Sequence, residues 1–345
     1  QILFLILILV FRYESFAQTN KPFISQGGFQ SSLIEPKSII KVAENHYFID
    51  FGKDAFGTVV LTIKSPQVDT LVIHVGEKTI HSNAIDRNPG GSIRYQKVKV
   101  MDIPLQSEYI VKLPRDKRNT NPPAIALPDS FGVITPFRYC ELENLKVPIS
   151  DVMIQQKVYN YRFNDDASNF TCSDTILNKI WELCKYTIKA TSFCGMYIDG
   201  DRERMPYEAD AYINQLSHYC VDKEYSMSRS TNEYFISNPT WPTEWILHTV
   251  LLFYYDYLYT GNIESLTKNY EALKSKTLSE LENEDGLIST KSVKLTDGLM
   301  QKIGFSDTKQ RIRDIVDWPP KERDGYDMAE INTVVNSFYY INLKL

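Results

Sequence analysis

The chain has 345 residues, and at about 150 residues per domain this length predicts roughly two domains. Hydrophobic residues make up 43% and charged residues 23%, which is enough for a buried core and excludes a disordered chain. The net charge of −5 argues against a nucleic-acid binder, which normally has a basic face. The 22 Tyr, 17 Phe and 4 Trp favour a carbohydrate ligand, because sugar C–H faces stack on aromatic rings.

The first residues have the pattern of an export signal. Ile2–Phe11 is an unbroken apolar run, shorter than the ~20 residues that span a bilayer. Ser15 and Ala17 are small residues at the two positions that a signal peptidase reads. We therefore predict a signal peptide over 1–17, cleavage before Gln18, and a mature protein without a membrane span in the periplasm or outside the cell. A buried strand or a membrane anchor is the alternative interpretation.

Alternating apolar and polar residues, typical of strands, dominate up to about residue 148. The strand-like segments are His46–Phe51, Phe56–Lys64, Thr70–Val75, Ser92–Val100, Tyr109–Leu113 and Gly132–Leu142. Gly and Pro separate them, as at Pro89-Gly90-Gly91, and leave little room for helices. The sequence therefore predicts a jelly-roll-like β-sandwich over 18–165. Charged residues near its loops, such as Glu77 and Arg94, are interpreted as solvated loop tips rather than as a site.

From Ser173 the apolar residues recur at helical spacing, as at Ile176, Ile180 and Ile188. Ser173 or Asp174 is a suitable N-cap for this first helix. Further helices are predicted over Glu208–Val221, Glu244–Tyr259 and Ile263–Glu282, and from Met328 to the chain end. Successive helices of this kind predict an all-α bundle or helical barrel over 166–345.

The segment Asp199–Asp210 carries five carboxylates and two arginines. Carboxylates at this density repel one another, so some must pair with Arg202 or Arg204 or have raised pKa values. A protonated carboxyl group beside an aromatic wall is what glycoside cleavage needs to protonate its leaving group. An acidic surface turn with ordinary ion pairs is the alternative interpretation.

Two further segments place Trp beside an acid just before a predicted helix. They are Trp241–Trp245, which includes Glu244, and Asp317-Trp318. Loops of a helical barrel converge on one rim, so these Trp residues are candidates for a sugar pocket, with core packing as the alternative. No nucleophile motif, phosphate loop or calcium-loop spacing is present, and the five cysteines contain no CxxC pair. The sequence therefore predicts no cofactor and no metal.

These residues resemble a known family. Phe170–Trp181 and Asp199–Asp210 resemble the start of the catalytic domain of bacterial α-L-rhamnosidases, glycoside hydrolase family 78, whose motif is roughly D-x-x-x-R-E-R-x-x-W-x-x-D. Ile49–Gly52 and Gly57–Leu61 resemble the accessory β-sandwich of that family. The resemblance implies a secreted enzyme that removes terminal L-rhamnose from a rhamnose-containing oligo- or polysaccharide or glycoside by an inverting mechanism. It also implies that 166–345 is the first part of an (α/α)6 barrel.

The resemblance also implies roles for single residues. Glu203 matches the general acid of the family. The residues that match sugar-holding positions, or are added to them as candidates, are Asp199, Asp201, Arg202, Tyr207, Asp210, Trp241, Trp245 and Trp318. Tyr207 replaces the commoner Trp. Asp199 lies one residue nearer to Glu203 than in the commoner spacing, so Asp201 is a substitute for it.

An inverting mechanism needs a second carboxylate that activates water on the opposite face of the sugar. In the family this Glu lies later in the barrel, and neither Glu244 nor Glu330 matches it. We therefore expect the general base beyond residue 345 and interpret the chain as a fragment. Two other functions remain open: a non-catalytic carbohydrate-binding protein of the same architecture, and another (α/α)-barrel glycosidase or a polysaccharide lyase.

Overall fold

The structure is a computed structural model, and it describes residues 26–345. The signal peptide predicted over 1–17 lies outside the described residues. Within residues 26–345, no helix has the length and apolarity needed to cross a bilayer.

The first part of the described chain is built from antiparallel strands. They are β1 (Phe29–Ile34), β2 (Ser38–Ala43), β3 (His46–Ile63), β4 (Leu71–Gly76), β5 (Thr79–His81), β6 (Ala84–Ile85), β7 (Tyr95–Val100), β8 (Tyr109–Ile110), β9 (Thr135–Glu143) and β10 (Val152–Tyr161). The main sheet has the order β1-β10-β3-β9-β4-β7, and β2 and β8 also pair with β3. β5 and β6 form a separate hairpin between β4 and β7.

The long strand β3 pairs with different strands along its length. Its residues 46–50 pair with β2 and β9, and residues 55–57 pair again with β9. Residues 57–63 pair with β10, and β8 lies beside Val60 and Leu61. The pairing register shifts between Asp50 and Ala55, where Gly52 has a φ of 89° that an L side chain rarely adopts. The apolar core contains side chains from both halves of β3, such as Ile49 and Leu61.

The rest of the described chain is helical. After the short helix α1 (Lys117–Thr120), which lies among the strands, come α2 (Thr175–Thr191), α3 (Glu208–Tyr219), α4 (Ser226–Ser237), α5 (Thr243–Thr260), α6 (Glu264–Lys276), α7 (Asp297–Ile303) and α8 (Thr333–Lys344). α5 is central because it packs against α3, α4, α6 and α8. The predicted order, a β-sandwich followed by part of a helical barrel, is confirmed.

Some helix boundaries differ from the prediction for local reasons. The fourth predicted helix is shorter, because α6 ends at Lys276 and Leu278 then has a left-handed φ of 63°. The last helix begins at Thr333, where the Asn332 side chain accepts the amide of Val334 at 3.0 Å. Asp174 is the N-cap of α2, as predicted. The apolar residues that predicted α2 are largely exposed, since Ile176 is 65% exposed.

The sandwich and the helices share an apolar interface. The rings of Phe56, on β3, and Phe193, just after α2, are stacked with their centroids 3.7 Å apart. The Tyr186 hydroxyl donates to the backbone oxygen of Asp54 at 2.6 Å. A cleft between the sandwich and the helices opens beside this interface.

Candidate active site

A cleft of about 1520 Å³ lies between the β-sandwich and the helices. Every candidate site residue named from the sequence lines it: Asp199, Asp201, Arg202, Glu203, Tyr207, Asp210, Trp241, Trp245 and Trp318. These residues come from three loop regions and from the first turns of α3 and α5, so the tertiary fold brings together what the chain separates. Loops on a rigid scaffold commonly carry binding and catalytic groups.

Glu203 is held by its neighbours on a tight loop. The Tyr207 hydroxyl donates to Glu203 Oε2 at 2.9 Å, and Nε of Arg202 lies 3.2 Å from Oε1. The Glu203 side chain is 38% exposed, so it remains open to a ligand in the cleft. We name Asp199–Tyr207 the acid loop, after the Glu203 carboxyl group that it presents to the cleft.

Asp199 lies beside Glu203 and is bridged to it by Arg202, whose Nη2 donates to Asp199 Oδ2 at 3.2 Å. Only 7% of the Asp199 side chain is exposed. Burial raises the pKa of Asp199 to about 6, and the negative charge of Glu203 acts in the same direction. Burial also raises the pKa of Asp210, on α3. The acid loop therefore contains two neighbouring carboxyl groups in different environments.

Asp201 lines the cleft but is bound to residues of the sandwich. Its Oδ1 accepts a hydrogen bond from Arg204 Nε at 2.9 Å, and its Oδ2 accepts from Asn119 Nδ2 at 3.1 Å and from Nε of Arg94. The carboxylate is thus occupied by protein donors. Its predicted role in holding sugar stays a prediction, and these contacts favour a structural role.

Aromatic side chains form one wall of the cleft. The rings of Tyr207 and Trp245 meet edge to face with centroids 5.2 Å apart. The Arg313 guanidinium lies over the Trp241 ring at 4.2 Å, and Trp318 is 53% exposed. Trp241 and Trp245 are partly buried and Trp318 is exposed, so none of the three is a fully buried core residue, and the Trp318 ring is open to the cleft.

Glu244 has a supporting position behind this wall. It is buried, and its Oε1 accepts the backbone amides of Ile315 at 3.1 Å and of Val316 at 2.8 Å. These bonds fix the segment that carries Trp318. Glu330 is exposed and lies outside the cleft lining.

The sandwich contributes a second wall of the cleft, which the sequence pattern does not predict. Lys53, Asp54, Glu77 and Arg138 line the cleft opposite the helices. Burial and a hydrogen bond with Glu77 raise the pKa of Asp54 to about 8, and burial also raises the pKa of Glu77. The interpretation of Glu77 and Arg94 as solvated loop tips is therefore wrong: Glu77 lines the cleft and Arg94 is only 5% exposed, because the sandwich packs on the helices there.

One cluster outside the cleft has donor atoms of the kind that bind a metal. Donor atoms of His46, Glu141 and Glu143 lie within 4.8 Å of one another. Nη2 of Arg87 occupies the space between the carboxylates, 2.7 Å from Glu141 and 3.0 Å from Glu143. A guanidinium in this position supplies the positive charge that a metal would, so the cluster is explained as an ion-pair network.

Residues 165–345 match the family model described as the bacterial α-L-rhamnosidase six-hairpin glycosidase domain. This match covers more than half of the chain, which therefore belongs to that family. A comparison with curated proteins finds no match.

Solved structures show the same fold at low sequence identity. The GH78 family rhamnosidase of Bacillus sp. GL1 aligns with 89% of this chain at a TM-score of 0.60 and 17% identity. The native rhamnosidase of Aspergillus terreus aligns with 91% of this chain at a TM-score of 0.56 and 12% identity. The rhamnosidase of Klebsiella oxytoca, with rhamnose bound, aligns with 75% of this chain at a TM-score of 0.53 and 12% identity. The chain spans 29%, 35% and 58% of these three proteins, in the order given.

Proposed function

We propose that the protein containing this chain is a secreted α-L-rhamnosidase that removes terminal L-rhamnose by an inverting acid/base mechanism. The observation that carries the proposal is the convergence of all the candidate residues on one cleft, with Glu203 held at its surface by Arg202 and Tyr207. Membership of the rhamnosidase family and the fold shared with a rhamnose-bound structure support L-rhamnose as the sugar.

The cleft provides groups for each part of the proton-donation step. Glu203 would give its proton to the glycosidic oxygen as the bond to the sugar breaks, and Arg202 and Tyr207 would orient its carboxyl group. Asp199 and Asp210 would accept hydrogen bonds from sugar hydroxyls. The exposed Trp318 would stack on an apolar face of the sugar. The second carboxylate of an inverting mechanism is not assigned to a residue of this chain.

The Glu203→Gln variant of the full-length protein tests the general acid. Gln keeps the size of Glu but has no acidic proton and accepts hydrogen bonds through one oxygen only, so we expect turnover of a natural rhamnoside to fall about 10²- to 10⁴-fold. Turnover of a dinitrophenyl rhamnoside, whose leaving group departs without protonation, should fall much less in this variant. Released L-rhamnose is the measured quantity.

Glu182→Gln is the matched control, because Glu182 lines the same cleft but belongs to α2 rather than to the acid loop. Its turnover should stay close to that of the unchanged protein. Asp199→Asn covers the neighbouring carboxyl group, whose raised pKa is suitable for an acid. If Asp199→Asn shows the dependence on the leaving group and Glu203→Gln does not, the acid has been assigned to the wrong residue.

The alternative functions predict different products. A non-catalytic carbohydrate-binding protein would bind rhamnose in calorimetry and release none from any rhamnoside. A polysaccharide lyase would form an unsaturated product that absorbs in the ultraviolet, whereas a hydrolase would not. Sugar binding without turnover in the full-length protein would exclude the rhamnosidase proposal.

A further inference from the structure

Arg94 connects the β-sandwich to the acid loop. It precedes β7 and is only 5% exposed. Its Nε donates to the Asp201 carboxylate, its Nη2 donates to the Asp201 backbone oxygen at 2.5 Å, and its Nη1 donates to Asp116 Oδ2 at 3.0 Å. The guanidinium thus binds both the side chain and the backbone of one residue of the acid loop.

The acid loop is closed on itself around this anchor. The Asp199 amide donates to the Met205 carbonyl at 2.9 Å, and the Arg204 amide donates to the Gly200 carbonyl at 3.2 Å. Gly200 has a φ of 109° and Arg204 a left-handed φ of 52°. A loop this short transmits a displacement of Asp201 to its near neighbours.

Side chains of the acid loop point in two directions. Asp201 and the buried Arg204 face the sandwich, where Nη2 of Arg204 donates to the Ile134 carbonyl at 2.9 Å. Arg202 and Glu203 are partly exposed and line the cleft. The contacts to the sandwich are therefore made by Asp201 and Arg204, which flank Arg202 and Glu203 in the chain.

We propose that Arg94 is a positioning residue for the general acid: through Asp201 it fixes the acid loop and so places the Glu203 carboxyl group for proton donation. This inference rests on the proposed rhamnosidase function. A buried Arg–carboxylate pair with several hydrogen bonds is rigid, and the loss of one partner leaves an uncompensated charge. A displacement of about 1 Å in a reacting group can cost up to ~10²-fold in rate.

The test compares two substrates in the full-length Arg94→Lys variant. Lys keeps the charge but cannot donate simultaneously to the Asp201 carboxylate, the Asp201 carbonyl and Asp116 in the geometry of the guanidinium fork. We expect kcat for methyl α-L-rhamnoside, which needs the acid, to fall about 10- to 100-fold. The kcat for dinitrophenyl rhamnoside should fall less than about threefold, and KM for both should change little.

Arg87→Lys is the matched control. Arg87 is also an arginine of the sandwich paired with two carboxylates, Glu141 and Glu143, and it lies outside the cleft lining. Its variant should treat the two substrates alike. Equal losses on both substrates in Arg94→Lys, or the same selectivity in Arg87→Lys, would overturn the positioning role. If Arg94→Lys does not fold, Asp201→Asn gives the same readout from the other partner of the pair.

Glu203→Gln measured in parallel separates the two proposals. If Glu203→Gln loses activity on both substrates equally, the assignment of the acid fails and the inference about Arg94 fails with it. If Glu203→Gln shows the dependence on the leaving group and Arg94→Lys does not, only the inference about Arg94 is wrong.

Discussion

Asp54, a residue of the sandwich that lines the cleft, has a raised pKa. Its Oδ1 is buried without a hydrogen-bond partner in the described structure, and its carboxyl group shares a hydrogen bond with Glu77. Burial is the largest cause of its raised pKa of about 8, because the charged form loses contact with water. The folded protein therefore keeps a proton at Asp54 near pH 7 that the unfolded chain releases.

This difference predicts how stability depends on pH. Between the ordinary pKa of 3.8 and the folded pKa of about 8, the folded state binds more protons than the unfolded state, so the free energy of unfolding falls as pH rises. In Asp54→Asn the amide donates to Glu77 at every pH. We expect its melting temperature, relative to the unchanged protein, to increase from pH 5 to pH 8. Exposed Asp69→Asn is the control, and a constant difference for Asp54→Asn would contradict the prediction.

At the scale of elements, the segment Arg313–Trp318 depends on the start of α5. The Thr243 amide donates to the Arg313 carbonyl at 3.1 Å. The Glu244 carboxylate accepts hydrogen bonds from the backbone amides of Ile315 and Val316. Val316 has a left-handed φ of 61°, which is strained for a β-branched residue. Glu244 compensates this strain and so keeps Trp318 at the cleft.

The variant Glu244→Gln tests this support. One carboxylate oxygen becomes an amide that cannot accept a hydrogen bond, and a buried group left without its partner costs about 1–3 kcal/mol. We expect a lower melting temperature and about tenfold weaker rhamnose binding, since tenfold corresponds to about 1.4 kcal/mol. Calorimetry measures the binding. Glu330→Gln, on the exposed surface, should change neither quantity, and unchanged binding in Glu244→Gln would show that the segment does not depend on this carboxylate.

At the scale of the whole molecule, sequence patterns predict the two halves but not all their elements. The alternation pattern does not predict β10, because Gln155 and Gln156 are buried polar residues. The side-chain amide of Gln156 donates to the Phe137 carbonyl. The helical pattern does not predict α4, because the polar side chains of Ser228, Thr231 and Asn232 are buried where apolar side chains would be expected. Tertiary hydrogen bonds decide both cases, and hydrophobic periodicity contains no trace of them.

The candidate site is predictable on its helical side only. Acid and Trp residues at helix starts are local patterns, and the rim of a helical bundle brings such starts together. The sandwich wall, with Asp54 and Glu77, depends on how one half packs against the other. A single sequence does not contain that orientation.

The prediction of export also belongs to the whole molecule, and it rests on the apolar run Ile2–Phe11 and the small residues Ser15 and Ala17. We expect the mature protein to begin at Gln18 when a bacterial host exports it. Mass spectrometry of the secreted or periplasmic protein measures its N-terminal residue. Replacement of Ala17 by a bulky residue should block cleavage, and retention of residues 1–17 in the unchanged protein would refute the prediction.

The family match begins at residue 165, yet the hydrogen bonds of the acid loop cross that point. The Ile125 amide donates to the Arg204 carbonyl at 3.0 Å, and Arg94 and Asn119 are donors to Asp201. Exchange of this sandwich for one from a distant relative would remove these donors unless the new sandwich supplied equivalents. The acid loop therefore depends on both halves of the chain, and we expect related proteins that differ at residue 94 to differ at residue 201 as well.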